Sequence, residues 1–221
     1  HFIFHTAFCC STLLARAFDL PGASMGLKEP AVLVTFADAL ADHGQSFEYH
    51  AALGATLDLL SRPLSPGETQ VVKPTNLVNP LVPQLLQARP EAKAIIMHSS
   101  LENYLKTTAK NSLMGRSFNR EALMQLKSTI PLHPELNGEV MMRLTDLEVA
   151  ALVWLMQVRH LNDVAQRLGP ARVRTLSDST LLSQPADVLQ HPAACERTLS
   201  ARSLARLRQP LERVAERLQF R

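Results

Sequence analysis

Short apolar runs alternate with amphipathic stretches along most of the chain, most clearly between residues 70 and 110. There the pattern predicts a strand over Gln70 to Lys73, a helix over Asn79 to Ala88 with Pro80 in its first turn, a strand over Ala92 to Met97 and a helix over Leu101 to Lys110. The same unit opens the chain, with an apolar strand at His1 to His5 and helix formers from Ser11 to Asp19 that stop at Leu20-Pro21-Gly22. Met25 to Pro30 reads as a short second strand carrying Lys28 and Glu29 at its end. Residues 31 to 62 form one or two helices, with Leu33, Phe36, Ala37 and Leu40 on one face and Leu53, Leu57, Leu59 and Leu60 on another. Pro63, Pro66 and Gly67 mark the next segment as a surface connection. From Arg116 to Leu168 the pattern is helical, and Leu147 to Val158, which holds Trp154, reads as a core helix. Val173 to Leu176 is a last strand, followed by Asp178, Leu181, Leu182 and Pro185 leading into another helix. Beyond Ser200, Leu204, Leu207, Leu211, Val214 and Leu218 recur at helical spacing, broken by Pro210.

Strands alternating with helices imply right-handed crossovers and a mainly parallel, doubly wound α/β sheet with helices on both faces and a helical C-terminal part. The expected division is an α/β domain over residues 1–190 and a basic helical extension over 191–221. At 221 residues, 46% hydrophobic, with a mean hydropathy of −0.01, the chain can bury a sizeable core and is not of disordered composition. His1 stands directly inside what reads as a core strand, so residues are expected upstream of it.

A net charge of +3 and a pI of about 8.9 suit an anionic small molecule in a local basic pocket, not a nucleic-acid surface. The basic excess sits largely in the tail, where Arg197, Arg202, Arg206, Arg208, Arg213, Arg217 and Arg221 face only Glu212 and Glu216. That tail is either a solvated helix face or a surface for an acidic partner. Cys9 and Cys10 are adjacent and Cys195 is distant, which makes neither a disulfide framework nor a metal-binding spacing, and a reducing cytoplasm is the simpler reading. No run approaches the roughly 18 apolar residues of a membrane span, so no membrane partner is expected.

The loop from Thr6 to Thr12, between the first strand and its helix, is the natural anion site, because unpaired backbone N–H groups and the helix dipole point into it. Ser11 and Thr12 there either offer hydroxyls to a phosphate or merely cap the helix, and Cys9 and Cys10 can equally be small buried hydrophobes. The loop has no glycine between His5 and Thr12 and no lysine before the Ser-Thr pair. It is therefore not a Walker A motif, and ATP hydrolysis with Mg²⁺ is unsupported.

The run Phe8-Cys9-Cys10-Ser11-Thr12-Leu13-Leu14-Ala15-Arg16 resembles the loop and helix of the sulfotransferase branch of the P-loop proteins, here a divergent bacterial form. Four further segments follow that family in order. They are Gly26-Leu27-Lys28-Glu29-Pro30, Val71-Val72-Lys73-Pro74-Thr75-Asn76, Arg89-Pro90-Glu91-Ala92-Lys93-Ala94-Ile95-Ile96, and the stretch from Val173 to Pro185. The resemblance implies PAPS (3′-phosphoadenosine 5′-phosphosulfate) as cofactor, no metal, and sulfuryl transfer to a hydroxyl or amine of a small-molecule acceptor. It places the 5′-phosphosulfate on Phe8, Cys9, Cys10, Ser11 and Thr12. The 3′-phosphate falls to His98, Ser99, Lys106 and Thr107. The chain departs from the family where the loop's basic residue is Phe8, its glycine is Cys10, and the arginine after the fourth strand is missing.

Three residues are catalytic candidates. Glu29 is the base or a carboxylate paired with Lys28 or Lys73 for structure. Lys73 stabilises charge or is a solvated edge lysine, and His5 touches the transferred group or is a satisfied core histidine. Trp154, Met141, Met142 and Met156 read as packing. Beside the transferase stands a second reading, a catalytically degenerate P-loop protein that binds a nucleotide or phosphorylated ligand without turnover.

Overall fold

The computed structural model describes residues 1–131 and 136–184. Five strands form one parallel sheet in the order β2-β3-β1-β4-β5, with β1 at Phe2–His5, β2 at Ser24–Lys28, β3 at Thr69–Lys73, β4 at Ala94–His98 and β5 at Val173–Ser177. Between and after them lie α1 (Ser11–Ala17), α2 (Val32–His43), α3 (Phe47–Leu60), a 3-10 segment (Asn76–Leu81), α4 (Val82–Ala88), α5 (Leu101–Lys110), α6 (Ser112–Leu126), α7 (Gly138–Arg143), α8 (Asp146–Leu168) and α9 (Asp178–Ser183).

Alternation along β1 decides what covers each face, because successive side chains of a strand point to opposite sides. Phe2 and Phe4 enter a core with Leu33, Leu53, Leu57, Leu81, Leu85 and Leu161, while Ile3 enters a second core with Leu14, Ala17, Phe18, Met97 and Leu181. The sheet is therefore covered on both sides, as expected of a parallel sheet with apolar strands. Each fully buried leucine here is worth about 1.5–3 kcal/mol in transfer free energy. A third cluster, of Ala122, Leu123, Leu126, Val149, Val153 and Met156, joins α6 to α8 as a helical annex. No helix among the described residues is long and apolar enough to cross a membrane.

Several boundaries differ from the sequence reading. The expected Asn79 to Ala88 helix is split, and α4 begins only at Val82, because Pro80 falls inside the preceding 3-10 segment and Pro83 sits in the first turn of the α-helix. α1 ends at Ala17 because the chain turns there: the Asp19 N–H closes onto the Arg16 carbonyl and the Ser24 hydroxyl donates to the Phe18 carbonyl. β4 starts at Ala94, since Pro90 and Glu91 lie in a turn that the Ala92 N–H closes onto the Arg89 carbonyl. Leu59 and Met142 point outward, 60% and 87% exposed, while Leu53, Leu57 and Met156 carry the packing. The domain boundary at residue 190, the extension 191–221 and the helix beyond Ser200 lie outside the described residues.

Candidate functional site

All five strands run the same way, so His5, Lys28, Lys73, His98 and Ser177 end at one edge of the sheet. β1 connects towards β2 on one side and β4 towards β5 on the other. The crevice between the β1 and β4 ends is thus the topological switch point, where ligands bind in open α/β sheets.

The β1 loop is built without glycine. Ala7, Phe8 and Cys10 hold φ of 66°, 50° and 62°, a left-handed conformation that costs an ordinary L-residue about 1–2 kcal/mol. Surrounding contacts hold it there. The Ala7 N–H donates to His5 Nδ1 at 3.0 Å, the Thr6 N–H to the Met97 carbonyl at 3.1 Å, and the Cys9 thiol to the same carbonyl at 3.6 Å. Phe8 packs its ring against Tyr104 of α5 and Phe118 of α6, with centroids 5.2 and 5.9 Å apart. At Phe8, then, an aromatic side chain fastens the loop to α5 and α6.

The hydroxyls and thiols of this loop divide in orientation. Ser11 is buried and turned to the Cys9 sulfur, whereas Thr12 is exposed. Burial pushes the Cys9 thiol up to about 12, and burial with neighbouring Asp178 raises Cys10. Neither is a thiolate nucleophile at neutral pH.

Lys73 is buried at the end of β3, its side chain 2% exposed, and its ammonium pairs with the Glu29 carboxylate, which is 51% exposed. Glu29 reaches it from the end of β2, where its φ is 51° and its N–H continues the ladder to the Lys73 carbonyl at 2.7 Å. His5 lies beside them with both ring nitrogens engaged. Because Nδ1 accepts the Ala7 N–H, Nε2 carries the proton and donates to the Pro74 carbonyl at 3.0 Å. Burial and the Lys73 charge push its pKa down to about 3, so it is neutral and fixed in one tautomer.

The residues assigned to the 3′-phosphate are dispersed. His98 is half-buried at the end of β4 and Thr107 half-buried on α5, but Lys106 turns to solvent and pairs with Glu102 at 2.6 Å along its own helix. Ser99 is fully buried, its carbonyl taking the Trp154 indole N–H at 3.0 Å. Its hydroxyl has no partner among the described residues, and neither has that of Thr6, which follows β1.

Thr6, which opens the expected anion loop, was absent from the individually named site residues, although its place directly after the strand marks it. Also absent was the buried amide network beneath the edge, in which Gln157 Oε1 accepts from Asn76 at 3.1 Å and from Asn79 at 2.8 Å. Asn79 also donates to the His5 carbonyl at 2.9 Å. No local motif announces three amides that meet from two distant segments.

Chemically, a buried ammonium beside loop N–H donors can hold an anion, and the half-exposed carboxylate next to it can accept a proton. No family model and no curated protein matches the chain. Solved structures do. The sulfotransferase domain from the curacin biosynthetic pathway superposes with a TM-score of 0.59 at 14% identity, over 92% of this chain and 75% of that one. The sulfotransferase from Alicyclobacillus acidocaldarius gives 0.53 at 18% identity, over 87% of this chain and 78% of that one. The fold is that of sulfotransferase domains. In this sulfotransferase fold the β1 loop, Glu29 and Lys73 share the carboxyl edge of the sheet, while Lys106 is paired with Glu102 in solvent.

Proposed function

We propose that the chain is a sulfotransferase that binds PAPS at the carboxyl edge of the sheet and acts on a hydroxyl or amine of a small molecule. The observation that carries this reading is the buried Lys73 ammonium with the half-exposed Glu29 carboxylate, set beside the β1 loop in a sulfotransferase fold. The residues present fit the 5′ end of the cofactor. Lys73 supplies the charge missing from the loop, and Thr6, Thr12 and the loop N–H groups supply donors; when bound, PAPS contributes an activated sulfuryl group. Glu29 takes the proton of the acceptor, and Lys73 stabilises negative charge at the edge. His5 positions the loop through Ala7 and does not exchange protons near neutral pH.

The second reading, a degenerate phosphate-binding protein without turnover, is favoured by Phe8 in place of the loop cation and by the absence of a guanidinium after β4. Calorimetric titration with adenosine 3′,5′-bisphosphate, ATP and inorganic phosphate tests the transferase reading. Preferential binding of the bisphosphate is expected, and equal weak binding of all three supports the degenerate site.

A further inference from the structure

The two partners of the Lys73–Glu29 pair stand in different environments. The ammonium is buried and the carboxylate faces water, so the carboxylate can leave at small solvation cost, whereas a buried ammonium left without an anion is strongly penalised. Lys73 therefore exchanges one anion for another and does not give one up. The nearby His5 cannot serve, being neutral and engaged on both nitrogens. Lys28 stands in register with Lys73 on the neighbouring strand and is itself cationic.

Resting on the anion site proposed above, we propose that Glu29 is the resident counter-ion of Lys73 and determines which anions the site accepts. A carboxylate held by its own backbone is present at high effective concentration, of the order of millimolar or more for tethered groups. A singly charged ligand offering the same contact gains nothing by replacing it. An oxyanion group carrying two negative charges, such as a phosphosulfate or a 5′-phosphate, has the extra charge needed to take the ammonium. Its arrival releases the Glu29 carboxylate to the mouth of the site, so the proton acceptor becomes free only when the anion is in place. In the resting state Glu29, at a left-handed φ of 51°, holds its side chain on Lys73.

The test is a double-mutant cycle read by calorimetry at fixed ionic strength, with adenosine 3′,5′-bisphosphate and inorganic phosphate as probes. Glu29→Gln removes the competing charge and is expected to tighten bisphosphate binding about five- to tenfold. Lys73→Met is expected to weaken it, and Glu29→Gln should bring no gain in the Lys73→Met background. Lys73→Gln replaces Lys73→Met if the latter does not fold. A gain with both probes ascribes the exchange to any free oxyanion, and a gain with the bisphosphate alone ties it to the nucleotide. Wild-type binding with no gain in Glu29→Gln overturns the exchange while leaving the cofactor reading intact. An equal gain in both Lys73 backgrounds also overturns it, since Glu29 would then act as a distant repelling charge. Absence of binding by all four proteins overturns the exchange and the cofactor reading together.

Discussion

His5 and Pro74 stand 69 residues apart and meet at 3.0 Å, imidazole Nε2–H to carbonyl oxygen, which ties the end of β1 to the end of β3. The other ring nitrogen holds the Ala7 N–H, so one neutral imidazole joins two strands and the loop between β1 and α1. Protonation would put a donor against the Ala7 donor and a charge beside Lys73.

That linkage predicts an acid-sensitive fold. The folded pKa of His5 is about 3 against 6.5 unfolded, so the unfolded chain takes the proton first as the pH falls. The stabilisation is fully present above 6.5 and is lost progressively as the pH falls towards 3, at up to about 1.4 kcal/mol per pH unit. His160, lowered in the same direction by burial, adds to it. Urea denaturation at pH 7.5, 6 and 5 should show this slope in the wild type. In His5→Gln it should be shallower by about one proton, and equal slopes would remove His5 as the cause.

Gln157 is expected to matter more for stability than its uncharged amide suggests. Gln157→Leu leaves the Asn76 amide without its acceptor, at about 1–3 kcal/mol for the orphaned group, and leaves Asn79 with only the His5 carbonyl. Adding Asn76→Leu should recover part of the loss, because it removes one orphan. A double variant no more stable than the single one would mean that the amides find other partners.

The left-handed position at Cys10 predicts the opposite sign. Glycine adopts φ near +60° without the Cβ penalty, and Cys10→Gly gives up only a half-buried thiol that caps nothing. The variant should be more stable by up to about 1 kcal/mol, measurable as a higher denaturation midpoint. A loss instead would show that the packing of Cys10 against the core of Ile3, Leu14 and Leu181 outweighs its strain.

The strands were legible because each is a short apolar run between turn signals, and Ile3 against Phe2 and Phe4 even shows the two-sided burial. Lys73 and Glu29 were legible as ends of two strands that share an edge. Their unequal burial was not, since exposure at a strand end depends on tertiary packing that no local pattern states. The left-handed Ala7, Phe8 and Cys10 were hidden for a simpler reason: none is a glycine, and the loop is held by long-range contacts, of Ala7 with His5, of Cys9 with Met97 and of Phe8 with Tyr104 and Phe118. Lys106 was placed by family position, yet Glu102 one turn earlier on the same helix face already marked it as a solvent-facing pair.

The base assignment makes the sharpest demand on the site. Glu29→Gln keeps the shape and a hydrogen-bond acceptor for Lys73 but cannot take up a proton at neutral pH. With an acceptor in hand, kcat for sulfuryl transfer should fall about 10²- to 10⁴-fold, the usual cost of losing a general base. Bisphosphate binding should be retained or tightened, which separates loss of chemistry from loss of the fold. Lys73→Met should instead lower binding and turnover together, because the ammonium meets the anion before and during the reaction. If Glu29→Gln turns over at the wild-type rate, Glu29 serves only as the counter-ion of Lys73, and the proton must leave by another group at the edge, with the half-buried His98 the next to substitute.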